Sequence, residues 1–150
     1  MQIDFVAWDD PDATALRAGQ RAEIAQRYGT PDSEPGTPPS ASDIAVFALA
    51  RAADGTAVAC GGLRDLGPDE GGEVKRMYVL PGHRGSGAAP RLLAALEEWA
   101  RDRGWKRLRL ETGDRQPDAV RFYTKSGYTP VEPFGAYAGE PSSLCFGKTL

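Results

Sequence analysis

Val79-Leu80-Pro81-Gly82-His83-Arg84-Gly85-Ser86-Gly87-Ala88-Ala89 is the stretch around which the rest of this chain arranges itself. A strand-like run, Glu73–Leu80, enters it, and glycines at 82, 85 and 87 bend it. A helical pattern leaves it: from Ala88 to Arg103, Leu92, Leu93, Leu96, Trp99 and Ala100 fall on one stripe. The first amides of a helix have no partner within it, and the positive end of the helix dipole lies there, so such a junction attracts anions. Glycine lets the backbone approach a phosphate without a side chain in the way. Arg84 adds a charged donor. A bound pyrophosphate is the expectation, whatever molecule carries it.

Outward from that turn, the pattern alternates strands and helices. Ile3, Phe5 and Ala7 alternate within residues 2–8, a short strand facing inward at those positions. Asp10-Pro11 is an N-cap followed by a first-turn proline, opening a helix to about Tyr28. Gly29 through Ser42 is punctuated by Pro31, Pro35, Pro38 and Pro39, and loops of that length tend to serve function. Strands are expected at Asp43–Arg51 and Thr56–Asp65, joined at Asp54-Gly55. Gly104 ends the second helix. Lys106–Thr112 is a strand with Leu108 and Leu110 on one face and Arg109 and Glu111 on the other. Pro117 opens a short helix that Gly127 closes, and strands near Tyr128–Val131 and Ser143–Lys148 finish the chain. The order is mixed α/β, one sheet with helices on its faces, and residues 1–150 read as a single domain.

Bulk properties narrow the function classes. The 150 residues carry a formal net charge of −3, with 41% hydrophobic and 26% charged residues, ordinary for a soluble globular protein. Arg101, Arg103, Lys106, Arg107 and Arg109 alternate with apolar positions and read as solvated faces, so nucleic acid is not an expected partner. Cys60 and Cys145 lie far apart and His83 is the only histidine, a distribution that makes no metal site; two reduced, buried thiols are expected. MQIDFVAWDD has neither a basic start nor a long apolar run, and no stretch reaches the length of a membrane span, so a cytoplasmic protein without membrane attachment is expected.

Three readings of the glycine turn compete. A phosphate-binding P-loop needs Gly-Lys-Ser/Thr at its end, and no lysine is there. A dinucleotide fingerprint needs a third glycine where Pro90 stands, although Glu111 falls about where a ribose-binding acid belongs. The third reading is carried by Arg84-x-x-Gly87-x-Ala89 directly after Met77-Tyr78-Val79, which resembles the coenzyme A pyrophosphate motif of the GNAT acetyltransferases. Gln116-Pro117-Asp118-Ala119-Val120-Arg121-Phe122-Tyr123-Thr124-Lys125-Ser126-Gly127-Tyr128 is similar to a second segment of that family, in the same order. Gln116 stands where asparagine is common, Ala88 where a larger apolar residue is common, and Pro90 occupies the first helical turn.

The resemblance implies the GNAT fold, a single mixed but mostly antiparallel sheet with helices on both faces. It implies acetyl-CoA as co-substrate and a primary amine, on a small molecule, as acceptor. By resemblance Met77, Tyr78 and Val79 offer their backbone to the pantetheine arm and thioester, Arg84, Gly85, Ser86, Gly87, Ala88 and Ala89 wrap the pyrophosphate, and Gln116 touches the arm. Tyr123 takes the place of the tyrosine beside the sulfur, a general acid, though it equally packs against Phe122. For the general base, Glu111 and Glu73 compete with each other and with a water chain. Glu111 alternatively pairs with Arg109; Glu73, placed by period two on the side of Met77 and Val79, is alternatively a solvated strand end. Residues 12–42 and Pro133–Pro141, the latter with Phe134, Tyr137 and Glu140, are expected to shape the acceptor pocket. His83 is expected to be an exposed loop residue. A homodimer is compatible with the family. A non-catalytic acetyl-CoA sensor and a nicotinamide-dinucleotide oxidoreductase are the rival functions.

Overall fold

A computed structural model describes all residues, Met1–Leu150, in the order β1 (Gln2–Val6), α1 (Pro11–Tyr28), β2 (Ile44–Arg51), β3 (Ala57–Asp65), β4 (Gly72–Val79), α2 (Ala88–Asp102), β5 (Arg107–Gly113), α3 (Pro117–Lys125), β6 (Thr129–Pro130) and β7 (Ser143–Thr149). The strands form one seven-stranded sheet ordered β1-β2-β3-β4-β5-β7-β6. Every neighbouring pair is antiparallel except β4 and β5. A doubly wound dinucleotide fold is built on parallel strands, and this sheet is not.

Helices cover both faces, as the alternation along β2 shows. Ala48 and Ala50 point into a core shared with Leu92, Leu93, Leu96 and Ala100 of α2 and with Leu108 and Leu110 of β5. Phe47 and Leu49 point the other way, against Ala13 and Leu16 of α1. The α2 stripe is buried as its spacing predicts, with Trp99 partly buried beside it. Asp10 caps α1 by accepting from the amides of Asp12 and Ala13.

Element boundaries agree with the sequence reading to within one or two residues; one strand is shorter than expected and one inward face is misassigned. The strand expected at Tyr128–Val131 shrinks to Thr129–Pro130. Tyr128 is withdrawn into the core, where its hydroxyl donates to Glu97, and Pro130 has no N–H to extend a ladder. The expected inward set of β1 is also wrong: Phe5 is 53% exposed and Ala7 is exposed as well. β1 is an edge strand that uses both faces, Ile3 packing toward α2 while Val6 and Trp8 pack with α1.

What positions the site is the β4–β5 junction. The two strands pair only at Gly72–Leu108 and Glu73–Arg109 and then part. At the closed end of this V, the backbone carbonyl of Arg107 would lie 2.2 Å from a Cβ on Gly71, and the Trp105 ring 2.3 Å from one on Gly72. Glycine is required at both positions for the strands to meet.

Gly71 also has φ +76°, a conformation that side chains resist. Gly71→Ala should therefore destabilise the fold on the order of 2–3 kcal/mol and lower Tm by about 5–10 °C. Gly67→Ala, at φ +100° but with nothing within 4 Å, should cost only the backbone strain, about 1 kcal/mol, in the same thermal unfolding assay.

Candidate active site

The open end of the V is a cleft. Its walls are Val74, Lys75, Arg76 and Met77 on β4, Glu111, Thr112 and Gly113 on β5, Gln116, Ala119 and Tyr123 at α3, and Gln20, Ile24 and Tyr28 on α1. Met77, Glu111, Gln116 and Tyr123, all singled out from sequence, thus share one cavity. Glu73 does not line it.

Glu73 lies at the pinned end of the V, opposite Arg109 and covered by Tyr137, which keeps it out of the cleft. A β-bulge farther along β4 separates its face from that of Met77. Cys60 pairs with Tyr78 and Gly62 with Lys75, so Arg76 and Met77 together oppose the single residue Gly61. Arg76 sits at φ 60°, in the left-handed region that non-glycine residues rarely occupy. The extra residue inverts the alternation. Glu73, Lys75 and Tyr78 share one face, whereas Val74, Met77 and Val79 pack into the α2 core. Period two from Glu73 to Met77 therefore fails, and the two lie on opposite faces.

Glu73 is also not a solvated strand end. It is 2% exposed and accepts a 2.5 Å hydrogen bond from the Tyr137 hydroxyl, with Lys75 Nζ at 3.5 Å and Arg64 at 3.6 Å. Glu111 is held more lightly. Ser143 Oγ donates to it at 2.6 Å, and burial pushes its carboxyl above the usual range, opposed by the Ser143 hydrogen bond. Its expected partner Arg109 is occupied elsewhere: that guanidinium pairs with Glu70 at 2.7 Å and stacks on Phe134.

Tyr123 is buried, and burial raises its hydroxyl well above the ordinary tyrosine value, so it is protonated at neutral pH. It packs on Phe122 at 5.0 Å between ring centroids and on Tyr128 at 5.8 Å, so packing and cleft exposure coexist.

The glycine turn leads into α2 as the sequence reading expects. Gly85 and Gly87 both have positive φ, +81° and +88°, with open space around them. No side chain caps α2, and no acidic residue occupies its first turn. An uncapped 15-residue helix behind two glycines fits a diphosphate. Arg84 is exposed and already engaged, pairing with Glu23 at 2.7 Å while its Nε donates to the Val79 carbonyl. Ser86 is exposed, Ala88 is buried against the core, and Ala89 is half-buried. His83, expected to be exposed, is half-buried in a one-turn 3-10 helix, Pro81–His83.

Several cleft residues fall within the 12–42 segment expected at the acceptor side, but the sequence singles out none of them. Gln20 donates to the Met77 carbonyl at 3.0 Å. Tyr28 lies so close to Gly113 that a Cβ there would sit 2.0 Å from its hydroxyl. Glu34, from the proline-punctuated segment, pairs with Lys75 and, at 2.7 Å, with Arg76. Burial would raise the Glu34 carboxyl, but the two cations more than reverse this and hold it at about 2. Tyr137, named as part of the acceptor side, joins this network; Phe134 packs on it at 5.2 Å, and Glu140 is exposed outside it.

Residues 11–128 match the Acetyltransferase (GNAT) family. The chain is 41% identical over 104 residues to an IAA acetyltransferase of Azospirillum brasilense, covering 69% of this chain and 67% of that protein. It is 36% identical to YsnE of Bacillus subtilis, an uncharacterized N-acetyltransferase, over 61% of each. These matches span roughly two thirds of the relatives' lengths. Among solved structures, one from Klebsiella pneumoniae, provisionally described as an acyl-CoA N-acyltransferase, superposes with a TM-score of 0.81 and 35% identity over 99% of this chain and 97% of that one.

The Glu34 carboxyl yields a pH prediction. Its folded value, about 2, lies below the ordinary 4.5, so the stability it contributes is full above pH 4.5 and lost as pH falls toward 2. The contribution is on the order of 3 kcal/mol. Urea midpoints measured from pH 6 down to 2.5 should fall less steeply for Glu34→Gln than for the parent chain.

Proposed function

The chain belongs to the acetyltransferase (GNAT) family, and on that premise we propose that residues 1–150 form one N-acetyltransferase domain, cytoplasmic and independent of metal, that moves an acetyl group from acetyl-CoA to a primary amine of a small molecule. One observation carries this reading: a carboxylate with a raised pKa, Glu111, and a protonated tyrosine, Tyr123, line the same cleft as the β4 backbone at Met77.

Acetyl-CoA supplies a thioester whose carbonyl carbon accepts the amine. The chain's own groups do the rest. An alkylammonium must first lose a proton, which at pH 7 costs roughly 4.6 kcal/mol for a group about 3.4 units above that pH. Glu111 takes that proton, directly or through water; its raised pKa brings it nearer the working pH of a base. The N–H of Val79 polarises the carbonyl, a contribution of about 3–4 kcal/mol for a well-placed donor. As the carbon–sulfur bond breaks, Tyr123 gives its proton to the departing sulfur. The amides from Arg84 to Ala89 grip the diphosphate, and Gln116 lies against the arm. Glu73, sealed behind Tyr137, holds Lys75 and the acceptor-side loop rather than the reacting proton.

Saturating acetyl-CoA at about a hundred times its dissociation constant should stabilise the protein by roughly 2.7 kcal/mol, a Tm rise of several degrees, while NADH should give no shift. In a thiol-release assay over a panel of small primary amines, Tyr123→Phe should lower kcat by about 10²–10³-fold. Glu111→Gln should cost a similar factor, and it should remove the acidic limb of the kcat/KM profile, because activity rises as pH climbs through the raised Glu111 pKa. Acetyl-CoA binding without turnover of any amine would favour a sensor instead.

A further inference from the structure

Arg76 and Lys75 project into the cleft beside Glu111, and this pair of cations has no role in moving a proton or gripping a diphosphate. Lys75 is 4% exposed and has a second carboxylate, Glu73, at 3.5 Å. Arg76 has one carboxylate partner, Glu34 at 2.7 Å. Arg76 lines the cleft from the bulge, where it sits at φ 60°, a strained conformation for a non-glycine residue that persists mainly at functional sites. Glu34 itself belongs to no helix or strand; it sits between α1 and β2, on backbone that can be displaced without breaking a ladder.

With Glu34 in place the cleft holds about 170 Å³. Small-molecule sites are typically about 300–1,000 Å³, so an acceptor needs this segment to yield. Displacing Glu34 leaves Arg76 without a counter-charge, beside a cleft whose remaining acid, Glu111, faces the incoming ammonium. A ligand with a carboxylate to replace Glu34 restores the charge balance; a plain alkylamine leaves a half-buried guanidinium unpaired, which is unfavourable.

Resting on the acetyltransferase reading of this cleft, we infer that the acceptor is an amino-carboxylate, a small molecule bearing both a primary amine and a carboxylate, with Arg76 and Lys75 as its carboxylate clamp and Glu34 as an internal stand-in displaced on binding. A planar guanidinium beside an ammonium suits bidentate recognition of that group.

The test uses the full chain with CoA bound and a panel of L-α-amino acids and ω-amino acids beside their decarboxylated amines. Isothermal titration reads binding and thiol release from acetyl-CoA reads transfer. At least one acid should bind tenfold or more tighter than its decarboxylated partner. Arg76→Gln should bring that ratio toward one, and Glu34→Gln should tighten the acid several-fold by removing its competitor. Equal binding within every pair, no binding by any acid, or a ratio that survives Arg76→Gln overturns the inference. So does weakened binding of plain amines in Glu34→Gln, which would make Glu34 the reader of the ammonium. Carboxylate-dependent binding without thiol release would instead sink the transferase reading and leave the clamp standing, whereas transfer to plain amines alone would do the reverse.

Discussion

Two parallel strands that meet for two residues and then separate are the constraint on which the rest of the structure depends. Strands in a sheet normally satisfy each other's backbone along their full length. Here β4 and β5 are pinned at Gly72–Leu108 and Glu73–Arg109 and released beyond. Gly71 and Gly72 make the pinning possible, since any side chain would strike the Arg107 carbonyl or the Trp105 ring. Past that apex the bulge at Arg76 adds twist to β4, while β5 stays in register with β7 from Arg107 to Gly113. The sheet continues on one side and opens on the other, and the open edge is where Met77 meets Glu111 and Tyr123.

Position along the V sorts the two carboxylates. Glu73, at the pinned end opposite Arg109, faces Tyr137 and the side of the Glu34 segment. There it becomes one member of a buried network with Lys75, Tyr137 and Arg64. A buried acid in such company is committed to neutralising its neighbours. Glu111, on a regular strand, keeps its alternation and faces the cleft with one hydroxyl donor, Ser143. Two glutamates of similar standing in the sequence thus differ through their place along the V, Glu73 at the pinned end and Glu111 beyond it. Elsewhere the fold treats buried charge in the same way as the Glu73 network. Glu97 of α2 lies under the Tyr128 hydroxyl at 2.9 Å and Lys148 Nζ at 3.0 Å, tying the helix to β7.

Local periodicity made much of this legible in the sequence. The strand–turn–helix at 79–89 and the α2 stripe depend on residues within a few positions of one another, and so does the alternation of Leu108 and Leu110. In each case burial follows the spacing. Tyr123 and Glu111 were legible through the resemblance of their segments and spacing to the GNAT family, and the structure brings both into one cleft. What escaped has no periodic signature. Nothing in Lys75-Arg76-Met77 announces a positive φ at a charged residue, so the face of Glu73 was misassigned. Glu34 meets its cations across 41 and 42 positions of chain from a segment without alternation. Gln20 reaches Met77 across 57. The inward face of β1 was misread because an edge strand need not favour one side.

One helix also binds the two halves of the site together. α1 presents Glu23 to Arg84 at the phosphate turn, Gln20 to the Met77 carbonyl midway along β4, and Tyr28 to Gly113 at the end of β5. Glu23 additionally pairs with Arg27 one turn on, so the acid is shared between its own helix and the turn. Under the proposed function, a phosphate at residues 84–89 would compete with Glu23 for the same guanidinium. The segment carrying Glu34 begins where α1 ends, at Gly29, whose φ of 78° turns the chain out of the helix. Arg84 at the glycine turn and Arg76 in the cleft are therefore both paired with carboxylates on, or directly following, a single helix.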